Sequence, residues 1–275
     1  MRPRLALLAS LALAAACQTQ AVPPGRPRVI TITATDYAFG APDTIVAGMT
    51  TFKLVNQGKE PHQAVIVGAS DHSFAELEAG ALGTDPRLPD WLVFPAGPGV
   101  AVGGDSSNAT AHIPAGNYLI ACFIPSPDGQ VHVAKGMVRR LVVVPAPAGT
   151  VAAAEPMADV TVTLADYSFT LSQPLTAGTH TIRVENRGPQ VHELAIEQLG
   201  PGKTLADWRR WAAAGAKGMG PSKPLGGFIG PNVGAVGWVT VTLTPGRYLL
   251  TCYVPDAKDG KPHVMHGMVQ EITVS

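Results

Sequence analysis

Cysteine is scarce in this chain. Only three occur in 275 residues, at Cys17, Cys122 and Cys252, too few for a scaffold stapled by disulfides. Neither sign of charge dominates, since Lys plus Arg and Asp plus Glu each number 20. Without a basic excess, nothing points to nucleic acid. No apolar run reaches the ~20 residues that a membrane-spanning helix needs. Glycine and proline, by contrast, are plentiful at 30 and 25, and 46% of residues are apolar. A turn-rich globular fold follows, and the length suits two domains, because single cores seldom grow far past ~200 residues.

The N-terminus reads as a sorting signal. Arg2 and Arg4 precede the apolar run Leu5 to Ala16, which is too short to span a bilayer. It ends in Leu13-Ala14-Ala15-Ala16-Cys17, which resembles the lipobox of bacterial lipoproteins, although Leu stands one place further from the cysteine than is usual there. The resemblance implies a signal peptide over residues 1–17, lipidation of Cys17 and attachment to a membrane through that lipid. Gln18 after the cysteine implies the outer membrane, facing the periplasm; an ordinary secretory signal would instead give a soluble periplasmic protein. Residues 18–27 form a Pro-rich tether of at most about 35 Å. Export leaves Cys122 and Cys252 as thiols in an oxidising compartment. They hold equivalent places in two repeats, so pairing them would require the same inner loop of each to meet. Two such thiols need protection or a use.

That use is suggested by an internal repeat of about 130 residues. Asp36-Tyr37-Ala38-Phe39 matches Asp166-Tyr167-Ser168-Phe169, and Ala47-Gly48 matches Ala177-Gly178. Asn56-Gln57-Gly58 leads to His62 as Asn186-Arg187-Gly188 leads to His192. Gly116-Asn117-Tyr118-Leu119 precedes Cys122, and Gly246-Arg247-Tyr248-Leu249 precedes Cys252. Each cysteine is followed by a histidine and a methionine: His132 and Met137 in the first copy, His263 and Met268 in the second. Two imidazoles, a thiolate and a thioether are the donors of a mononuclear blue-copper site, in which soft sulfur favours copper over harder ions. One copper per repeat is expected, held by His62, Cys122, His132 and Met137 and by His192, Cys252, His263 and Met268.

The secondary-structure signals are those of strands. Val29 to Thr33, Val160 to Leu164 and Trp238 to Leu243 alternate apolar and β-branched polar residues, and Gly, Pro, Asn and Asp punctuate them. The expected class is all-β: two tandem Greek-key β-sandwiches, each with a short helical insertion, over residues 28–145 and 158–275 with a linker at 146–157. Ser73-Phe74-Ala75-Glu76 and Thr204-Leu205-Ala206-Asp207 read as capping boxes that start the two helices. Leu205, Trp208, Trp211 and Ala212 share one face of the second, with Gly215 to end it. That face is expected to pack against its sandwich.

These residues resemble the cupredoxin family over both repeats. The resemblance implies that the remote His and the three loop ligands meet at one end of each sandwich, the loop joining the last two strands. The motifs His132-Val133-Ala134-Lys135-Gly136-Met137 and His263-Val264-Met265-His266-Gly267-Met268 look like the corresponding loop of copper nitrite reductases, which also have a long Cys-to-His spacing and two domains. Those enzymes and the multicopper oxidases place a histidine directly before the blue-copper cysteine. Here Ala121 and Thr251 stand there, and no His-x-His pair exists, so a second, catalytic copper is expected to be absent. Two departures stand out. Gln63 and Glu193 follow the first ligand where cupredoxins usually carry Asn, and His266 could compete with Met268 as axial donor. His72, His112 and His180 receive no role. The leading expectation is a copper-binding, electron-transfer or copper-holding periplasmic lipoprotein with an unidentified redox partner. The alternatives are a metal-free cupredoxin-like binding or scaffold module and a two-domain copper oxidoreductase.

Overall fold

The computed structural model describes residues 25–83, 89–216 and 220–275. The expected signal peptide, with Cys17, and most of the expected tether lie outside them. Among the described residues, the first repeat contributes β1 (Arg28–Thr35), β2 (Ala38–Gly40), β3 (Thr44–Val46), β4 (Gly48–Asn56), β5 (Val65–Ala69), α1 (Phe74–Leu82), β6 (Val93–Ala96), β7 (Ser106–Ile113), β8 (Gly116–Ala121) and β9 (Val138–Val144). The second contributes β10 (Val160–Ala165), β11 (Ser168–Leu171), β12 (Gly178–Asn186), β13 (Leu194–Leu199), α2 (Leu205–Ala213), β14 (Ser222–Phe228), β15 (Val236–Leu243), β16 (Gly246–Thr251) and β17 (Val269–Val274). Among the described residues the protein is all-β apart from these two short helices and single turns of 3-10 helix.

Three sheets result. One five-stranded sheet, β3-β9-β8-β5-β6, belongs to the first repeat, and one four-stranded sheet, β14-β13-β16-β17, to the second. Facing them is a single eight-stranded sheet, β11-β10-β12-β15-β7-β4-β1-β2, to which each repeat gives four strands. Alternation builds the faces: along β10 the pattern Val160, Val162, Leu164 is buried while the threonines between are half-exposed, as period two requires. The sheets are mixed rather than purely antiparallel. β1 runs parallel to β4 and β10 parallel to β12. Parallel neighbours need a crossover, and in the first repeat β3 supplies it by pairing with β9 in the opposite sheet.

The repeats are joined along their edges. Trp238 of β15 faces Thr110 of β7, and two residues further along each strand the ladder is completed by a side chain. Asn108 Nδ2 donates to Thr240 O at 2.7 Å, and Thr240 N donates to Asn108 Oδ1 at 2.9 Å. A side-chain amide thus stands in for a peptide. Gly99 N donates to Gly227 O at 3.0 Å. Gly227 lies at φ +131°, and a Cβ there would meet Leu194 O at 1.9 Å, so only glycine fits. One apolar core runs through both halves, from Ile32, Phe52 and Ile120 to Leu164, Val184 and Leu250.

Both helices start as their capping boxes require. Ser73 Oγ accepts from Glu76 N, and Thr204 Oγ1 from Asp207 N. Trp208 is buried with Leu199 and Leu249, against which Leu205, Trp211 and Ala212 pack.

Replacing Asn108 with Ala removes the two cross-repeat hydrogen bonds of its side chain, each contributing about 1 kcal/mol at a partly solvated site. Urea unfolding of Asn108→Ala is expected to show a loss of about 1–3 kcal/mol. An unchanged midpoint would show that the edge pairing contributes nothing to stability.

Candidate metal centres

The strand following each remote histidine and the loop following each cysteine bring the donors together. His62 precedes β5 and is held by a pair of backbone hydrogen bonds to Ala101. Cys122 follows β8, which pairs with β5. After it, His132–Lys135 forms one 3-10 turn closed by Gly136 at φ +95°, and His263–His266 is closed by Gly267 in the same way. A left-handed residue ends the turn most cheaply as glycine. The reversal lets Met137 N donate to His132 O and Cys122 N donate to Met137 O. The four-residue spacing between His and Met is this one turn.

In the first centre His62 Nδ1 lies 3.0 Å from His132 Nδ1, and Cys122 Sγ lies 3.4 Å from His132 Nδ1 and 4.0 Å from His62 Nδ1. In the second, His192 Nδ1 is 3.1 Å from His263 Nδ1, and Cys252 Sγ is 3.2 Å and 3.9 Å from the two rings. Donors about 2.0–2.3 Å from one ion at tetrahedral angles sit roughly 3.3–3.6 Å from each other, so these separations fit a shared cation. Met137 and Met268, with all six other residues, are 0% exposed. Six of the predicted donors come together, His62 with Cys122 and His132 and His192 with Cys252 and His263; Met137 and Met268 are buried and accept at their backbone carbonyls from the cysteine amides, and His266 joins neither group. Its Nε2 faces Asp259 at 3.1 Å on the surface, whereas Met268 is buried in the core beside Cys252. His72 stacks on Trp91 and His180 pairs with Asp159, both away from the donors.

What turns the rings inward is a set of carboxylates that motif reading did not assign. Asp36 Oδ1 lies 3.2 Å from His62 Nε2, and Asp166 Oδ1 lies 2.8 Å from His192 Nε2. Glu60 Oε2 lies 2.9 Å from His132 Nε2 and takes a hydrogen bond from Tyr37 OH on its other oxygen. With its outer nitrogen carrying the proton for a carboxylate, each such ring presents a lone pair at Nδ1, which orients a ligand and raises its basicity. The repeated Asp-Tyr pair was a visible signal for Asp36 and Asp166. Glu60 gave none, because Gln190 holds its place in the second copy. There the carboxylate is Asp256, four residues after the cysteine where the first copy has Ser126, and Tyr167 OH donates to it.

Burial sets the charge states. It pushes the Cys122 thiol up to about 11, and it drives Cys252 well above its ordinary value, helped by the charge of Glu193. Burial also lowers His62 and His192 and brings His263 down to about 4, with His192 opposing a second charge there. His62, His192 and His263 are therefore neutral donors at pH 7, and the thiols keep their protons until a cation displaces them. Backbone amides of Gln63 and Ile124 reach the first sulfur, and those of Glu193 and Val254 the second. Glu193 does more, since its Oε1 accepts from Tyr253 N at 2.6 Å. It ties the remote-histidine strand to the cysteine loop. Two imidazoles, a thiolate and a thioether in a dry pocket make a copper set; zinc would make no use of the thioether.

The fold is cupredoxin-like, twice over, on the strand pairing and the converging donors. No protein-family model matches the chain, and no curated protein sequence matches it. Among solved structures it is similar to a dithionite-reduced auracyanin of Roseiflexus castenholzii, at 22% identity over 44% of this chain and 100% of that one, with a TM-score of 0.31. Auracyanin A of Chloroflexus aurantiacus, a "blue" copper protein, matches at 25% identity over 42% of this chain and 98% of that one, TM-score 0.30. A copper-containing nitrite reductase of Thermus scotoductus covers 91% of this chain and 62% of its own, at 10% identity and a TM-score of 0.24.

Glu193 supplies a pH test in the metal-free protein. Burial raises its carboxyl to about 7 from 4.5, so the folded state holds a proton that the unfolded state has lost. Stability is then highest below the unfolded value and falls as pH rises from about 4.5 through about 7, by about 3 kcal/mol. Glu193→Gln is expected to flatten that part of a stability–pH curve from chemical denaturation. An equally steep decline in the variant would show that another group causes it.

Proposed function

We propose that the chain carries single electrons through two copper ions, one in each repeat. The ligands would be His62, Cys122, His132 and Met137 in the first and His192, Cys252, His263 and Met268 in the second. The observation that carries this reading is that two histidines and a cysteine in each repeat, all fully buried, bring their donor atoms within 4.8 Å of one another; a buried methionine would complete four protein donors to each centre. Such a centre resembles a closed site, with no position left for a substrate. Copper bound there supplies a one-electron couple tuned by its long thioether bond. The protein's part is to keep the donors fixed. The Asp36–His62 and Asp166–His192 pairs, the amides on each sulfur and the 3-10 turn allow little movement between oxidation states. An oxidase or nitrite reductase would in addition need histidines around a centre open to substrate, and among the described residues no third group of histidines lies together.

The chain is read as an exported lipoprotein, held by Cys17 at the outer membrane and exchanging electrons with a partner protein in the periplasm. The Arg2 to Cys17 sequence supports this part. Among the described residues, no helix is long and apolar enough to cross a membrane.

Copper loading is expected to produce an intense visible band from sulfur-to-Cu(II) charge transfer, with two copper ions per chain by metal analysis. Cys122→Ser and Cys252→Ser should each remove about half of the absorbance, and the double variant all of it. Copper at a hundredfold excess over its Kd should stabilise the fold by about 2.7 kcal/mol per site, read as a raised Tm. A protein that stays colourless with Cu(II) and melts unchanged in Cu(I) would leave the metal-free scaffold reading in its place.

A further inference from the structure

In front of the second centre stands a group with no counterpart in the first. Asp256, Asp259 and His266 each offer a donor atom, and these atoms lie within 4.8 Å of one another. Asp256 is buried at 1% exposure, while the side chains of Asp259 and His266 are 35% and 28% exposed. The ring of His266 stacks on Tyr167 with centroids 5.0 Å apart.

The first repeat fills the same place with its own cation. Lys135 occupies the position of His266, and its Nζ lies 2.7 Å from Asp128 Oδ2, 3.4 Å from Tyr37 OH and 4.6 Å from the centre of the Tyr37 ring. Asp128 corresponds to Asp259, and Ser126 to Asp256. Glu60 and Asp128 with an ammonium have become Asp256 and Asp259 with an imidazole, so what is lost is the fixed positive charge. The remaining cation nearby, Lys261, reaches Asp259 Oδ2 at 3.2 Å from a side chain 67% exposed, and a pair so exposed contributes little. Two anions therefore face each other where the first repeat has a fixed positive charge.

A second, independent observation lies just behind. His263 is 0% exposed, and its Nε2 has no hydrogen-bond partner. It points at Asp256 Oδ2 from 3.6 Å, beyond hydrogen-bond reach. In the first repeat the equivalent nitrogen of His132 is bonded by Glu60 at 2.9 Å. Leaving a buried nitrogen unpaired costs about 1–3 kcal/mol. Asp256 Oδ2, the atom nearest that nitrogen, is instead taken by Tyr167 OH at 2.5 Å and Gln190 Nε2 at 3.1 Å, and Lys258 N donates to its Oδ1 at 2.8 Å. One of its carboxylate oxygens also lies within 4.8 Å of the donor atoms of Asp259 and His266.

We propose that Asp256, Asp259 and His266 bind a divalent transition ion through oxygen and nitrogen, at a site outside the sulfur centre of the second repeat. Carboxylate and imidazole donors suit Zn(II) and Cu(II), whereas Cu(I) prefers the sulfur within. The ion replaces the Lys135 ammonium of the first repeat, and the His266–Asp259 hydrogen bond opens so that both atoms turn to it. This site stands apart from the electron-transfer reading and does not require it.

Zn(II) titration calorimetry tests it, on the full chain from residue 18, with and without prior saturation by Cu(I). Wild type is expected to bind one Zn(II) per chain more than His266→Lys, which restores the arrangement of the first repeat, and more than Asp259→Asn, in both conditions. Both variants change exposed side chains and should melt as wild type does. Equal Zn(II) stoichiometry in wild type and both variants overturns the proposal. Should the sulfur centres fail to take Cu(I), the two conditions would coincide but the difference between variants would remain, so the two readings fail separately.

Discussion

The hydrogen bond between a carboxylate and the outer nitrogen of a buried imidazole is the constraint from which the rest of each centre follows. Asp36 on His62 and Asp166 on His192 decide which ring nitrogen keeps the proton. Without them, an imidazole buried beside a protonated thiol could rotate or change tautomer at little cost, and the inner lone pair would be lost. With them, the ring has one orientation, and the neighbouring sulfur is set against it by backbone amides from two loops, one after the remote histidine and one after the cysteine. The site is thus assembled before any ion arrives, which is what a centre with little rearrangement between oxidation states requires.

The two repeats solve the same problem for the loop histidine with different residues. In the first, Glu60 lies on the remote-histidine side and Ser126 on the cysteine loop. In the second, Gln190 and Asp256 have exchanged those roles, and the tyrosine hydroxyl follows the carboxylate, from Glu60 to Asp256. The bonding geometry did not survive the exchange equally well. Glu60 holds its histidine at 2.9 Å, while Asp256 stands off at 3.6 Å. A shorter side chain on a different loop reaches outward as readily as inward. That difference in reach distinguishes the two halves more than any change among the ligands themselves.

Much of this was legible in the residues. The eight donors were marked by type, order and repetition, and the helices by capping boxes whose two reciprocal bonds are local. What escaped reading was whatever depends on contacts across the fold. Asp36 and Asp166 were visible as repeated residues, but their role needed the turn after β1 to sit beside the loop bearing His62. Glu60 and Asp256 could not be matched by comparing copies, because the function moved between positions while each position changed chemistry. The parallel pairing of β1 with β4 leaves no local trace either, since alternation looks the same in both directions.

The union of the repeats in one sheet was equally silent, and its cause is physical. An edge strand exposes unpaired peptide groups, and β7 and β15 each present such an edge. A tether between two separate sandwiches would leave both open to other chains. Pairing them internally closes the two edges together, and where the register of the ladder runs out Asn108 continues it with a side-chain amide. Close approach across the junction requires glycine at Gly99, where a Cβ would meet the carbonyl carbon of Gly226 at 2.5 Å. Duplication thus gave more than a second centre. It gave each half a partner for its exposed edge, and a single core in which both sets of donors are held by the same framework.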